Sequence, residues 1–253
     1  RYPMTSLNAI LANYRSSGKA HIFYQEYMND PRNPEEQTFR AEDIRYYDGE
    51  IKLQGGDPVL ELVLEDGTVE IRPVTITVGV DLAISTLGDY NVLLPLALDA
   101  DGNYFVGDYI RVRAEPFEII EWLFRLKERY GPRLYVIESV AYQAALASFA
   151  RKEMRARGVY MPIREVKPRD SKSVRLASLE PVLNKHLLHV KRKHTDLETE
   201  MLDWPKAKHD DILDALWGAM QFAIKPEGRA STMKDTQRRR DETDALKRHW
   251  TML

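Results

Sequence analysis

Acidic residues in three separate segments have the types and settings that phosphodiester chemistry uses. Asp81 ends the apolar run Val78-Gly79-Val80, and Glu138 ends Tyr135-Val136-Ile137. Asp210, Asp211 and Asp214 fall within five positions at the start of the apolar stretch 210–224. An apolar run that stops at a carboxylate sets that charge at the rim of a core, where it loses hydration and needs a cation or several donors. In open α/β sheets the space beyond the strand ends is where ligands gather. A helix start accommodates one or two acids through capping and the helix dipole, but three repel one another. A divalent cation relieves that repulsion. Hard divalent cations take oxygen ligands, and magnesium keeps bound waters while contacting substrate phosphate. Two such ions about 4 Å apart activate the attacking water and stabilise the leaving oxygen. On this reading Asp81 is the shared ligand, Glu138 and Asp211 flank it, and Asp210 assists. Asp214, and Asp89 in the loop after Asp81, are auxiliary ligands to the second ion. Taken singly, Asp81 and Glu138 are better explained as cap or turn residues; the combination points to metal.

Residues 151–193 carry 13 Lys and Arg against 4 Asp and Glu, although the whole chain has a net charge of −2. Phosphate contacts need local rather than net charge, so this stretch is either a solvated face or a polyanion-binding one. Arg164, Lys167, Arg169, Lys172 and Arg175 are the candidates to hold a DNA backbone. No helix-turn-helix or finger motif accompanies them, which implies backbone reading with low sequence specificity. His209, beside Asp210, reads as a surface or ligand-orienting residue more readily than as a ligand or proton shuttle. His186, His189 and His194 read as surface residues, and Trp122, Trp204 and Trp217 as packing. The run Lys191-Arg192-Lys193 either grips phosphate or is solvated. Cysteine is absent, which excludes disulfides, thiolate catalysis and zinc–thiolate sites.

The elements that must position these residues follow from periodicity. A helix is predicted over 6–17 with Ser6 as N-cap, then turns at Asp30-Pro31 and Asn33-Pro34. Alternation on both sides of Asp66-Gly67 predicts a hairpin over 59–71. Strands at 75–80, 91–98 and 104–112 follow one another as a meander. A helix over 116–130 stops at Gly131-Pro132. A strand at 134–137, a helix over 142–157 closed by Gly158, and a strand at 160–166 come next. A basic amphipathic helix over 171–186, a short strand at 187–190 and an apolar helix over 210–224 complete the pattern. The result is a mixed α/β sheet with helices on its faces. At 253 residues and 43% hydrophobic, the chain has the material for a folded core. No apolar run is long enough to span a bilayer, and the N-terminus has no signal-peptide pattern. The chain begins at Arg1, as expected of a piece of a longer protein. The division expected is a linker segment and hairpin over 1–72, a main domain over 73–225, and a charged tail over 226–253 containing Arg238-Arg239-Arg240.

The order of these residues resembles the nuclease domain of phage terminase large subunits. The matching pieces are Val78-Gly79-Val80-Asp81, Val136-Ile137-Glu138-Ser139 and His209-Asp210-Asp211-Ile212-Leu213-Asp214-Ala215-Leu216. Phe23-Tyr24-Gln25-Glu26-Tyr27 is similar to the segment that follows the motor domain in those proteins, so the likeness covers residues 20–225. It implies a ribonuclease H-like fold, related to Holliday-junction resolvases, that cuts double-stranded DNA when packaging starts and ends. It further implies Mg2+ or Mn2+, two ions with DNA bound. The family's acids map onto Asp81, Glu138 and the Asp210–Asp211 pair, without choosing within the pair. Family partners would be an ATPase motor domain in the full-length chain, the portal and the small terminase subunit, in the cytoplasm of the host cell. The ATPase P-loop, G-x-x-x-x-G-K-[ST], is absent, so the chain corresponds to the nuclease half. Two alternatives share the same residues: a resolvase- or transposase-like nuclease, or a catalytically silent module that docks the motor to the portal.

Overall fold

The structure, a computed structural model, describes residues 3–17, 19–28, 37–83, 90–138 and 141–226. Asp89, Ser139, the turns at 30–34 and the Arg238–Arg240 run lie outside the described residues. Two helices open the chain, α1 (Met4–Ser16) and α2 (Ala20–Tyr27), joined by the rings of Tyr14, Phe23 and Tyr27. α1 starts after the extended backbone of Pro3, so Ser6 lies inside the helix and is not its cap.

Among the described residues a ten-stranded mixed sheet follows. Its first strands are β1 (Arg45–Tyr46), β2 (Gly49–Gln54), β3 (Asp57–Val63) and β4 (Val69–Asp81). β5 (Asn91–Asp99), β6 (Tyr104–Val106) and β7 (Ile110–Val112) continue the meander before α3 (Pro116–Tyr130). Then come β8 (Leu134–Glu138), α4 (Ala141–Arg157) and β9 (Ile163–Val166). Next along the described chain are α5 (Lys172–Ala177), α6 (Glu180–Asn184), β10 (Leu188–Val190), α7 (Thr195–Asp203) and α8 (Asp211–Gln221). The heart of the sheet runs β6-β5-β4-β8-β9: an antiparallel meander with two further strands parallel to β4. This is the mixed α/β sheet with helices on its faces that the periodicity implied. Ile76, Val78, Val80, Tyr135 and Ile137 turn to one face and pack with α3. Val92, Leu94 and Leu96 turn to the other, under α5 to α8.

Four departures from the expected elements have physical reasons. The strand expected over 104–112 breaks into β6 and β7 at Gly107, opposite Pro95 of β5. Proline has no N–H for the ladder; Gly107 N donates to the Pro95 carbonyl at 2.8 Å, and a Cβ at Gly107 would lie 3.2 Å from that oxygen. The helix expected over 171–186 is two short helices, because Pro181 has no N–H to return to residue 177. An unforeseen β2–β3 hairpin turns on Gly55-Gly56, both at positive φ (63° and 91°), the backbone a two-residue turn demands. Finally, the boundary expected at 72/73 falls inside β4, whose 13 residues run unbroken from the hairpin into the core.

Candidate active site

The side-chain period of a strand places Thr77, Gly79 and Asp81 on the face of β4 away from Val78 and Val80. On β8 the same rule sends Val136 and Glu138 to that face. β4 and β8 are parallel with Val80 opposite Ile137, so the next residues along, Asp81 and Glu138, end neighbouring strands side by side. α8 lies across this face, burying Ile212, Leu213, Ala215, Leu216 and Ala219. It lies so close that a Cβ on Gly79 would sit 1.8 Å from the Ala215 carbonyl oxygen. Glycine at 79 therefore lets a helix backbone rest directly on the strand, two residues before Asp81. Asp211, only 8% exposed, and Asp214 are carried to the same rim. Asp81, Glu138 and Asp214 line one cleft, walled by Val166, Pro168 and Trp217.

The electrostatics agree with that placement. Burial pushes the Asp81 carboxyl well above the usual carboxylate range, and the charges of Asp214, Asp211 and Glu138 push it further; Lys172 opposes them. A half-buried acid facing three others holds its charge only beside a cation. Asp210 occupies the N-cap position of α8 yet makes no side-chain cap bond. The first N–H groups of α8 go instead to Glu200 of α7, whose Oε2 accepts from Ile212 N at 2.9 Å and Leu213 N at 3.2 Å. Capping therefore does not explain Asp210.

Lys172 and Arg175, expected on a DNA-facing surface, turn inward onto the carboxylates. Lys172 Nζ is 2.6 Å from Asp210 Oδ1 and 2.5 Å from Asp214 Oδ2. Arg175 Nη1 is 3.3 Å from Asp214 Oδ1 and 3.5 Å from Glu138 Oε2, with its guanidinium 4.7 Å over the Trp217 ring. Burial lowers the Lys172 pKa, but its bonds to Asp210 and Asp214 outweigh that and raise it above the usual value. The cause of the inward turn is local: Ser171 Oγ accepts from Val174 N and starts α5 there, setting positions 172 and 175 on one face, toward α8. Arg164, Lys167 and Arg169 stay exposed, Arg164 with its guanidinium 4.8 Å from the Phe222 ring.

No family model matches the sequence, and no curated protein matches it. Among solved structures the chain is similar to the large terminase nuclease from thermophilic phage G20c, at 20% identity and a TM-score of 0.48, over 74% of this chain and 99% of that one. That nuclease has also been solved with bound magnesium, zinc and cobalt. The large terminase nuclease domain of Thermus phage P74-26 is similar at 18% identity and a TM-score of 0.46, over 72% and 93% of the two chains. The yeast mitochondrial Holliday junction resolvase Ydc2 is similar at 13% identity and a TM-score of 0.40, over 58% and 78%.

Around the carboxylates stand residues that periodicity alone did not single out. Arg111 of β7 reaches Asp196 at 3.2 Å, Glu200 at 3.4 Å and Asp211 at 4.0 Å, and stacks 4.2 Å over the Tyr90 ring. His209 meets Tyr90 edge-on at 5.7 Å. Burial raises the Glu200 carboxyl to about 7, against the pull of the Leu213 N–H and of Arg111. Elsewhere, His194 is buried rather than on the surface, 5% exposed and packed on Tyr109. Lys191 and Lys193 both pair with Asp108, at 3.0 and 2.8 Å, and Arg192 covers Tyr46, so the 191–193 run is anchored to its own domain. Trp204 and Trp217 pack in the core as expected.

Among the described residues, no three acid or imidazole groups are already gathered as a metal-ligand set. The donor chemistry nonetheless suits a hard divalent cation: every donor is a carboxylate oxygen, and like charges press on half-buried Asp81. Lys172 and Arg175 presently neutralise part of that charge. Among the described residues, no helix is long and apolar enough to cross a membrane.

Proposed function

We propose that this chain is a divalent-metal-dependent DNA endonuclease domain, of the kind that cuts double-stranded DNA in a viral packaging terminase. The observation that carries the reading is the meeting of Asp81 and Glu138, at adjacent strand ends, with Asp211 and Asp214 of a helix seated on the same rim. Magnesium or manganese, when bound, supplies an activated water and charge for the leaving oxygen. Asp81, whose carboxyl feels the charges of Asp214, Asp211 and Glu138, would hold the metal as the shared ligand, with Glu138 and Asp211 as its flanking ligands. Asp214 joins them as a ligand, and Asp210, turned to Lys172, is the outer member of the pair. Asp211 is thus favoured over Asp210 as the direct ligand, because its charge bears on Asp81. Glu200 and Arg111 hold the start of α8 in position rather than touching substrate. The exposed Arg164, Lys167 and Arg169 border this rim through β9 and the turn into α5, and they meet the DNA backbone. Within a full-length terminase the partners would be an ATPase motor domain, the small subunit and the portal, in the cytoplasm of the host cell.

The test is nicking of supercoiled plasmid in magnesium or manganese, with EDTA as control. The parent is expected to nick only with metal. Asp81→Asn is expected to lose at least about a hundredfold in rate, as removal of a metal-shared ligand implies. Asp211→Asn should fall with it, and Asp210→Asn less. Parent activity that survives EDTA, or an Asp81→Asn protein as fast as the parent, sinks the metal assignment. If no divalent ion produces nicking, the docking-module reading replaces it.

A further inference from the structure

We propose that Lys172 is a built-in counter-cation: it holds Asp210 and Asp214 until a metal ion displaces it, and the freed ammonium then meets the DNA phosphate. The inference rests on the reading of Asp214 and the neighbouring acids as metal ligands, with Asp210 as an outer acid, and concerns how the site is loaded. One ammonium lies 2.6 Å from Asp210 and 2.5 Å from Asp214, bridging two acids that stand four positions apart on the start of α8. It does so from α5, a separate element that reaches the site with no other charge on that face except Arg175.

The two cations of α5 are not equivalent. Arg175 is 10% exposed, lies 4.7 Å over Trp217 and binds through a rigid planar fork, so leaving would uncover a charge and break a stack. Lys172 is 37% exposed on a flexible stem, and an ammonium regains hydration readily. A single positive charge also under-neutralises the clustered acids, whereas a divalent ion held by Asp214 and its neighbours balances more of that charge. Exchange therefore falls on Lys172, and Arg175 keeps Asp214 and Glu138 in place meanwhile. Lys172 lies three to five residues along the chain from the exposed Lys167 and Arg169, and a released ammonium there has a DNA phosphate as its available partner. By linkage, a phosphate that takes the lysine must tighten metal binding by the same factor that metal tightens phosphate binding.

The experiment measures Mn2+ affinity by titration calorimetry on the whole chain, with and without a short DNA duplex, for the parent, Lys172→Met and Lys172→Arg. Methionine keeps the length of the stem without its charge. Without DNA, Lys172→Met is expected to bind Mn2+ about tenfold more tightly than the parent, the size of a modest coupling between sites. DNA should tighten Mn2+ binding by the parent, and do so far less for Lys172→Met. Lys172→Arg, which restores a cation, should return toward the parent. Equal or weaker Mn2+ affinity in Lys172→Met, with near-ultraviolet circular dichroism like the parent's, overturns the exchange. Should Lys172→Met unfold, Asp210→Asn takes its place: it loosens the lysine and is expected to preserve a Mn2+ heat at Asp214, and a loss of all Mn2+ binding would count against exchange. Plasmid nicking on the same samples separates the two ideas. Unchanged affinity beside metal-dependent nicking leaves the nuclease standing without the exchange, and tighter affinity without nicking does the reverse.

Discussion

At the scale of single residues, the site is governed by where charge is buried and what answers it. Asp81 was legible as a carboxylate ending an apolar run, and Glu138 likewise. Glu200 was missed, although its position gave a signal: it falls three residues after Leu197 and beside Met201, on the apolar face of an otherwise acidic helix. A charged group at an apolar position implies a specific partner, and here the partners are the first amides of α8. Its pKa has a consequence for stability. Burial raises the Glu200 carboxyl from its ordinary 4.5 to about 7, so the folded protein prefers the protonated form. The fold is therefore favoured below pH 4.5 with respect to this group and loses that advantage as pH rises through 7, by on the order of 3 kcal/mol. Glu200→Gln keeps an acceptor for the amides and removes the titration. Urea unfolding in EDTA at pH 5 and pH 8 should show the variant gaining on the parent toward pH 8, by up to about that amount. Parallel pH profiles would mean that Glu200 is charged at no cost in the fold.

At the scale of elements, the contact between β4 and α8 sets the spacing of the acids. Most strands and helices were readable as apolar runs of the right period. The closeness of α8 was not, since a glycine inside a strand reads first as a weakness. Its meaning appears only with the helix on top: the Ala215 carbonyl occupies the place of the missing Cβ. Gly79→Ala should therefore push α8 outward, destabilise the protein by about 1–3 kcal/mol or more, and move Asp211 and Asp214 from Asp81. Gly218→Ala is the contrast, because its nearest atom is Val136 Cγ1 at 4.0 Å. Alanine there is expected to be neutral, or stabilising by up to about 1 kcal/mol through helix propensity. Chemical denaturation of both variants checks the pair, and Mn2+ titration should show weakened binding in the first alone. A tolerated Gly79→Ala would mean that α8 can shift without harm, and the rim would lose its rigid spacing. The break between α5 and α6 was likewise hidden: the basic period ran on through Pro181, and only the start at Ser171 fixed which cations face inward.

At the scale of the whole molecule, the basic stretch divides into two populations that charge counting could not separate. Composition says that residues 151–193 are strongly positive. Only the folded chain assigns Lys172 and Arg175 to the acids, Lys191 and Lys193 to Asp108, and leaves Arg164, Lys167 and Arg169 in solvent. The cap at Ser171 sets which positions of α5 share a face, but the partners that receive those side chains lie some forty residues away on α8, beyond any local pattern. The same logic made the acids legible as a set but not as a geometry, because Asp81 and Glu138 become neighbours only through the parallel register of β4 and β8. The division predicts how DNA binding responds to salt. Each phosphate neutralised by an exposed cation contributes about 0.9 to the slope of log affinity against log salt for duplex DNA. The triple variant Arg164→Ala, Lys167→Ala, Arg169→Ala should flatten the slope by about 2 to 3, if each side chain meets one phosphate. In EDTA, Lys172→Met should change it by less than about 1, because the ammonium is already held by Asp210 and Asp214. Fluorescence anisotropy with a labelled duplex over a range of potassium chloride measures both slopes. A triple variant that keeps the parent slope would place the DNA on another face of the molecule. A large slope change for Lys172→Met without metal would mean that the lysine leaves its carboxylates for phosphate unaided.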